Sequence, residues 1–158
     1  VLTSQGISFL HAGEEMARTK KGHENSYNLS DSINAIDWRR KVKQAGLVAY
    51  YRGLIALRKA VPAFRMKSAE EIRRRLVFLP MPAAGMAGYC VKGAEGNPKA
   101  KPVVVVFNAT AERQDVKLPE SGWRVLVDGA NAGVKCLRRI QGNACAVEPR
   151  SALVLAKA

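Results

Sequence analysis

The most informative part of the chain reads Gly-Ile-Ser-Phe-Leu-His-Ala-Gly-Glu-Glu over residues 6–15. Ile7 to Leu10 is a short apolar run between Gly6 and Gly13, with two carboxylates beyond Gly13, and this pattern is typical of a buried strand. The residues that follow, as far as Asn28, are mostly polar and show neither helical nor strand periodicity, so they predict a loop. In parallel α/β folds a buried strand leads through such a loop into a helix, and these loops carry ligand chemistry.

The clearest helix prediction spans Gln44–Val61, where apolar side chains recur at helical spacing and basic residues lie toward the C-terminal end. Pro62 is expected to end this helix. Gly53 lowers helix propensity inside it, and we expect another element to approach the helix closely there. Upstream, Asp31–Trp38 predicts one or two helical turns, with Trp38 as a packing anchor rather than a platform for a sugar ring.

Beyond Pro62 the sequence pattern changes from helical to β. Ser68 and Glu71 form a capping-box pattern that predicts a short helix ending near Arg75. Val103–Phe107 is continuously apolar, which predicts a central strand covered on both faces, and residues 93–102 predict a flexible loop. Short runs separated by Gly-, Pro- and Asn-rich breaks predict an antiparallel sandwich or barrel. These runs are Leu76–Pro80, Gly88–Lys92, Val103–Asn108, Arg113–Leu118, Trp123–Asp128, Val134–Arg139, Ala144–Glu148 and Ala152–Ala156.

The chain has a formal net charge of +13, which raises nucleic-acid binding as an alternative function. Its basic clusters are short and scattered, without zinc-finger spacing, an RRM-type aromatic pair or a continuous basic helix. We therefore interpret them as solvated faces or as contacts to another part of the protein. The clusters are Arg39–Lys41 with Lys43, Arg58–Lys59, Arg73–Arg75 and Arg138–Arg139.

The three cysteines, Cys90, Cys136 and Cys145, form no CxxC pair, and neither His11 nor His23 lies at ligand spacing from them. Each has an apolar, strand-like context, so we expect buried free thiols, which favours a reducing compartment such as the cytoplasm or a tolerant core. The sequence has no apolar run long enough for a membrane span and no signal-peptide pattern at its start. We expect the chain to be a piece of a longer protein, with any targeting signal upstream.

Two motifs carry a specific family resemblance. G-I-x-F-L-H-A-G-E-E (residues 6–15) and R-T-K-x-G-x-x-N-S-Y-N (residues 18–28) resemble the eighth barrel strand and following loop of type I pullulanases and their isoamylase-like debranching relatives. These enzymes belong to the α-amylase clan of glycoside hydrolases. Residues 50–65, with YYRGLIALRK and PAFR, resemble their last barrel helix, and residues 106–110 (VFNAT) and 147–155 (VEPRSALVL) are similar to their C-terminal β-sandwich.

The resemblance implies a chain that is partly α/β and partly all-β. Residues 1–65 would be the terminal strand–loop–helix unit of a (β/α)8 barrel, incomplete by itself, and residues 66–158 a C-terminal antiparallel β-sandwich. Ser8 departs from the family pattern, because these enzymes commonly have proline there, but it leaves the strand prediction unchanged. We expect that residues 1–62 do not fold alone, since one strand and one helix bury too little surface.

The resemblance also implies an activity, the cleavage of α-1,6-glucosidic branch linkages in pullulan, amylopectin or limit dextrins by a retaining mechanism. Such a mechanism needs two carboxyl groups about 5 Å apart. Glu14 and Glu15 do not meet this need, because adjacent residues leaving a strand point to opposite faces. The family's catalytic carboxylates stand on earlier barrel strands, so no catalytic residue, metal ligand or cofactor is expected in these residues, and the chain alone should be inactive. A structural calcium ion elsewhere in the parent protein stays open.

The polar loop is the candidate substrate-binding site. Asn25, Ser26 and Tyr27 supply an amide, a hydroxyl and an aromatic ring, the groups that recognise sugars, and Arg18 is expected to order the loop by pairing with Glu15 or Glu14. We therefore name Glu15, Arg18, Asn25, Ser26 and Tyr27 as candidate substrate-binding residues. The alternative is that Asn25 and Tyr27 only form contacts within the loop and bind no substrate.

The predicted partners are an α-glucan, bound through the barrel of the parent protein, and that upstream barrel itself; nucleic acid is not expected. Two alternative functions remain at this point. One is isoamylase or glycogen-debranching specificity on the same scaffold. The other is a non-catalytic basic β-sandwich that binds polysaccharide or nucleic acid.

Overall fold

The computed structural model describes residues 1–94, 97 and 100–158. Part of the predicted loop at residues 93–102, namely 95–96 and 98–99, lies outside the described residues. The helices are α1 (Asp31–Asn34), α2 (Arg40–Lys43), α3 (Ala45–Ala60) and α4 (Ala69–Arg75), with 3-10 turns at Glu14–Met16 and Pro62–Phe64. The strands are β1 (Leu76–Phe78), β2 (Met86–Val91), β3 (Val103–Asn108), β4 (Gln114–Lys117), β5 (Trp123–Val127), β6 (Arg138–Ile140), β7 (Ala144–Val147) and β8 (Ser151–Lys157).

The strands form two antiparallel sheets, as the sequence predicts. A six-stranded sheet has the order β1-β2-β3-β8-β5-β6, and a two-stranded sheet pairs β4 with β7. The centre of the large sheet is the β3–β8 pair, in which Val103 lies opposite Ala156 and Asn108 opposite Ser151. Both outer strands of the large sheet, β1 and β6, are only three residues long.

The β3 valines alternate between two hydrophobic cores, one on each face of the large sheet. Val103 and Val105 face a core that includes Leu57 and Phe64 from the helical layer. Val104 and Val106 face a second core, which includes side chains of the two-stranded sheet. All four valines are almost completely buried, which confirms the predicted central strand. The next residue, Phe107, is about one-third exposed.

Helix α3 packs against the large sheet, and its predicted limits are confirmed to within one residue. Pro62 follows its last residues and begins a 3-10 turn. The prediction for Gly53 is also confirmed, because a Cβ atom placed there would lie 2.0 Å from the main-chain oxygen of Ala132. Nearby, the hydroxyl of Tyr50 donates to the main-chain oxygen of Asp128 at 2.8 Å. The helix is thus held close to the connection between β5 and β6.

Helix α4 begins as the capping-box pattern predicts. The Ser68 hydroxyl accepts a hydrogen bond from the Glu71 amide at 3.1 Å, and the helix ends at Arg75.

Among the described residues, we find no helix with the length and apolar character needed to cross a bilayer.

The predicted strand at Ile7–Leu10 is wrong for this structure. These residues have no regular secondary structure, and the side chains of Ile7 and Phe9 are almost entirely exposed. A strand is stabilised by hydrogen bonds to neighbouring strands. None of the strand pairs found in the described part of the chain includes these residues, so their apolar character alone does not produce one.

Three smaller predictions are also corrected. Strand β6 begins at Arg138 rather than Val134, because the preceding residues form a turn and a single bridge between Val127 and Ala132. Cys136 lies in this connection and is exposed, whereas Cys90 and Cys145 are buried free thiols as expected. Trp38 is 66% exposed, so it is not a packing anchor here.

Candidate substrate-binding loop

The candidate loop runs from Gly13 to Asn34 and is held by main-chain turns and side-chain hydrogen bonds. It opens with the 3-10 turn at Glu14–Met16, whose last side chain is buried. Arg40 of α2 then donates from Nε to the main-chain oxygen of Met16 at 3.2 Å, and its guanidinium also bonds the main-chain oxygen of Ala17. The turn is therefore fixed to the helical layer.

Asn34, at the end of α1, connects three parts of the loop. Its side-chain amide donates to the main-chain oxygens of Ser26 at 2.6 Å and Leu29 at 2.8 Å. Its Oδ1 accepts from the Lys20 ammonium at 2.6 Å. The pKa of that ammonium is lowered, mainly by desolvation and to a smaller extent by the positive charge of Arg18. One asparagine thus fixes the position of the chain on both sides of Tyr27.

Arg18 orders the loop, but not by the predicted ion pair with Glu14 or Glu15. Its guanidinium donates to the main-chain oxygen of Ala12 at 3.1 Å and also bonds the main-chain oxygen of Asn34. Glu15 instead accepts from the Gly13 amide at 3.0 Å through Oε2. The guanidinium of Arg18 therefore joins the segment before the 3-10 turn to the end of α1.

The predicted sugar-binding residues differ in their environments. Tyr27 is 82% exposed, and the side chain of Asn25 is exposed as well. No hydrogen bond within the described part of the chain involves either of these side chains. Ser26 contributes its main-chain oxygen to the Asn34 bond and is half-buried. The Asn25 amide and the Tyr27 ring are therefore accessible from solvent, while Ser26 helps to hold the loop.

Glu15 and Arg18 line two different clefts. Glu15 lines a cleft of about 260 Å³ together with Trp38 and Tyr51. Burial and then the charges of Glu14 and Glu15 raise the pKa of the Tyr51 phenol. This cleft holds one carboxylate beside two aromatic rings, and the adjacent Glu14 is exposed.

Two exposed groups of this loop, the Asn25 amide and the Tyr27 ring, have the chemistry of sugar-binding groups. Sugar hydroxyls need amide and hydroxyl partners, and a sugar ring packs on an exposed aromatic ring. The Glu15 carboxylate accepts from the Gly13 amide and so supports the main chain beside it. Within residues 1–94, 97 and 100–158, no group of three or more metal-binding side chains comes together.

Comparison with known proteins shows the relationships of this chain. Residues 72–131 match the family described as "Pullulanase, all-beta domain". The pullulanase of Bacillus subtilis (strain 168) is 40% identical over 129 residues, covering 81% of this chain and 18% of that protein. The isoamylase of a Flavobacterium species is 29% identical over 153 residues, covering 82% of this chain and 20% of that protein.

The similarity extends to three-dimensional structure. The crystal structure of pullulanase type I from Bacillus subtilis str. 168, complexed with maltose, matches with a TM-score of 0.88 and 35% identity over 99% of this chain and 22% of that one. This chain is homologous to the pullulanases. It is also homologous to isoamylase and to glycogen debranching enzymes. It spans about a fifth of the length of these curated relatives.

Sequence reasoning missed two residues that shape the loop of this pullulanase homologue. Asn34 lies within a short helical pattern, and nothing in the residue itself indicates that its amide reaches back to Ser26. Arg40 belongs to a basic cluster that we assigned to solvated faces or contacts with another part of the protein, yet its guanidinium binds two main-chain carbonyls of the loop. A long loop without regular structure has many main-chain oxygens that no other main-chain group binds. Side chains or water must bind them, and this need could have pointed to nearby donors such as Asn34 and Arg40.

Proposed function

We propose that the chain is the C-terminal part of a glycoside hydrolase that cleaves α-1,6-glucosidic branch linkages in α-glucans. In this proposal residues 1–65 form the last strand–loop–helix unit of the catalytic barrel, and residues 66–158 form the C-terminal β-sandwich. The observation that carries the proposal is the structural likeness to pullulanase along nearly the whole chain, loop and helix included.

The exposed apolar side chains of the N-terminal part support the proposed barrel. Ile7 and Phe9 are almost fully exposed, and Leu10 is exposed beside them. Isolated apolar residues on a surface are common, but a contiguous apolar patch usually marks a surface that another element covers. A parallel barrel strand is covered on both edges and both faces. The upstream barrel of the same protein is the partner that we propose for these residues.

The proposed reaction is a retaining double displacement in which one carboxylate attacks the anomeric carbon and a second carboxyl group protonates the leaving oxygen. We place both groups in the barrel strands upstream of residue 1. Glu14 and Glu15 are not candidates, since they are adjacent in a single 3-10 turn and Glu15 bonds the Gly13 amide. The 158-residue chain by itself is therefore expected to release no reducing sugar from pullulan.

The loop at residues 13–34 is proposed to contribute to the α-glucan site of the parent enzyme. The Asn25 amide and the Tyr27 ring are exposed and unbonded within the described structure, on a loop fixed by Asn34. A structurally similar pullulanase is complexed with maltose, which is the chemical class of ligand that these groups suit. Arg18 and Glu15 then act on the loop rather than on the sugar.

Kinetics of the full-length protein test this proposal. Hydrolysis of pullulan, with KM raised about tenfold by Tyr27→Ala and by Asn25→Ala, is the expected result. Glu24→Ala is the matched control, because Glu24 is an exposed neighbour that we assign no contact to substrate. Equal KM values in all three variants would remove the loop from the substrate site, and hydrolysis of neither pullulan nor glycogen would remove the activity itself.

The second candidate is isoamylase or glycogen-debranching specificity. Homology to isoamylase and to glycogen debranching enzymes favours it, since both proteins match about four-fifths of this chain. Assaying the full-length protein on pullulan and on glycogen separates the two candidates: a clear preference for pullulan supports the first, and a clear preference for glycogen supports the second.

A further inference from the structure

Arg58 on α3 binds the segment that precedes the candidate loop, which we call the entry segment (Leu2–Gly6). Its guanidinium donates to the main-chain oxygens of Leu2 at 3.1 Å, Ser4 at 2.7 Å and Gly6 at 2.6 Å. These bonds join positions 52 to 56 residues apart in sequence. A single side chain thus connects the last helix of the N-terminal part to its first residues.

The entry segment is curled around this guanidinium. In an extended strand, alternate carbonyl groups are about 6.6 Å apart, too far for three of them to bind one guanidinium. Here the Ser4 amide donates to the Val1 oxygen at 3.2 Å, which closes a turn. Gly6 has a φ of 85°, a conformation that glycine adopts without strain. The Arg58 contacts therefore define one particular path of the backbone.

Other side chains complete the anchoring of the entry segment. The Tyr89 hydroxyl of β2 donates to the Thr3 oxygen at 2.5 Å. The Gln5 side chain donates to the Ala63 oxygen at 2.7 Å and accepts from the Met66 amide at 3.3 Å. Every residue of the entry segment is therefore bonded to the helical layer or to the large sheet.

This anchoring stops abruptly at Gly6. The next residue, Ile7, is fully exposed, and the next main-chain group held by a side chain is the oxygen of Ala12, which Arg18 binds. The bond from Arg58 to Gly6 is the last side-chain contact to the main chain before residues 7–11. A shift of the backbone at Gly6 would therefore be passed on to the residues that follow.

We propose that Arg58 is a positioning residue that sets the register of residues 7–10 and thereby the location of the substrate-binding loop. This inference rests on the proposed function, in which residues 7–10 enter a barrel sheet. A slip of one residue in a strand moves it by about 3.3 Å and turns every side chain to the opposite face. Lysine does not replace this role, because an ammonium is a single point donor and lacks the planar fork of the guanidinium.

The first test measures the position of the entry segment in the 158-residue chain. A spin label on Ser4→Cys and a second on the native Cys136, which is exposed while the other two cysteines are buried, report the distance between the segment and the sandwich. We expect one narrow distance distribution with Arg58 in place. It should broaden in Arg58→Met and, to a smaller extent, in Arg58→Lys. An unchanged distribution in Arg58→Met overturns the proposal.

Arg65→Met is the matched control. Arg65 also donates to two main-chain oxygens, those of Arg58 at 3.0 Å and Lys59 at 2.9 Å, but both belong to α3 and neither belongs to the entry segment. It should lower the melting temperature about as much as Arg58→Met does. The label distribution should remain narrow in this control, because the entry segment keeps its bonds.

The second test uses steady-state kinetics of the full-length protein. A displaced loop no longer offers its binding groups to the substrate, so we expect Arg58→Met to raise KM about tenfold or more, and Arg58→Lys to lie between it and the unsubstituted protein. Arg65→Met should leave KM unchanged. Equal KM in the Arg58 and Arg65 variants would show that Arg58 only stabilises the fold, which overturns the proposal. If the unsubstituted protein hydrolyses no α-glucan, the proposed function fails, and the label distances alone decide whether Arg58 fixes the segment.

Discussion

Residues 7–10 and residues 103–106 are both short apolar runs, but only the second is buried. Val103–Val106 lies in the middle of the large sheet, paired with β2 on one side and β8 on the other. Ile7–Leu10 has no partner strand among the described residues, and its three apolar side chains reach solvent. The difference lies in the neighbours rather than in the residues themselves. A buried strand is a property of a sheet, because its hydrogen bonds and its apolar contacts both come from other segments.

The largest contrast is expected in hydrogen exchange. In the monomeric 158-residue chain, amides of Val103–Phe107 should exchange at least about a thousand times more slowly than those of Ile7–Leu10, since they open only with much of the fold. Mass spectrometry of the exchanged chain measures this directly. Equal protection of both runs in a monomer would show that residues 7–10 are hydrogen-bonded within the chain, which contradicts the comparison.

Truncation of a buried side chain sharpens the same contrast. Leu155 faces the core between the two sheets and is fully buried. Leu155→Ala should lower the free energy of unfolding by about 2–5 kcal/mol, because it removes transfer energy and leaves a cavity. Ile7→Ala, at a fully exposed position, should change it by less than about 0.5 kcal/mol. Urea denaturation of both variants checks the pair, and a large loss in Ile7→Ala would contradict the comparison.

Two glycines of α3 differ in their surroundings: Gly53 lies against the sandwich and Gly46 does not. A Cβ at Gly53 would lie 2.0 Å from the Ala132 oxygen, whereas one at Gly46 meets nothing within 4 Å. Gly53→Ala should therefore destabilise the chain by about 1–3 kcal/mol, since helix and turn must move apart. Gly46→Ala should be neutral or stabilising by up to about 1 kcal/mol. Thermal unfolding of the two variants provides the test, and the opposite order of stability would show that the helix is not held at Ala132.

The smallest expected effect concerns Asp128, in the turn after β5 that contacts α3. Burial raises the pKa of Asp128, but hydrogen bonds from the Ala130 and Asn131 amides and the charge of Arg138 outweigh it, so this pKa lies below its ordinary value. The stabilisation is therefore present above the unfolded-state pKa and is lost as pH falls through the lower, folded-state pKa.

Asp128→Asn keeps an amide oxygen as acceptor but removes the charge that faces Arg138. It should cost at most about 1 kcal/mol at pH 7, because solvent screens this partly exposed charge, and the difference from the unsubstituted chain should be smaller in acid, at about pH 2. Urea unfolding at both pH values measures this. A difference that persists undiminished in acid would mean that the carboxylate charge is not the source.

Local patterns predicted much of the fold of residues 44–158. The period of α3, the Ser68 cap and the valine run in β3 each depend on neighbours close in sequence, and all three are confirmed. The start of β6 was not predicted, because the connection after β5 is shaped by its contact with α3, more than seventy residues away in sequence.

The candidate loop was harder to predict than the fold. Its composition indicated polar side chains suited to sugars, and Asn25 and Tyr27 are indeed exposed. Composition did not indicate which polar groups the loop uses on itself. Arg18 was expected to bind a carboxylate and binds main-chain carbonyls instead, and the role of Asn34 was not foreseen. Such choices depend on distances between segments, which neither spacing nor charge specifies.

The positive charge of the chain is partly explained in the same way. Several guanidinium groups donate to main-chain oxygens and so act as structural donors for turns, helix ends and strand ends. The arginines that do so are Arg18, Arg40, Arg58, Arg65, Arg75 and Arg124. A net charge of +13 therefore overstates how much basic surface is available to an anionic partner.

The carbonyl contacts of Arg18 and Arg58 also determine how the loop responds to its surroundings. An arginine–glutamate pair weakens when acid protonates the carboxylate, and salt screens it at the surface. A guanidinium stays charged throughout the range in which proteins remain folded, and an amide oxygen does not titrate in that range. The arginine contacts on either side of residues 7–10 therefore contain no carboxylate whose protonation in mild acid would break them.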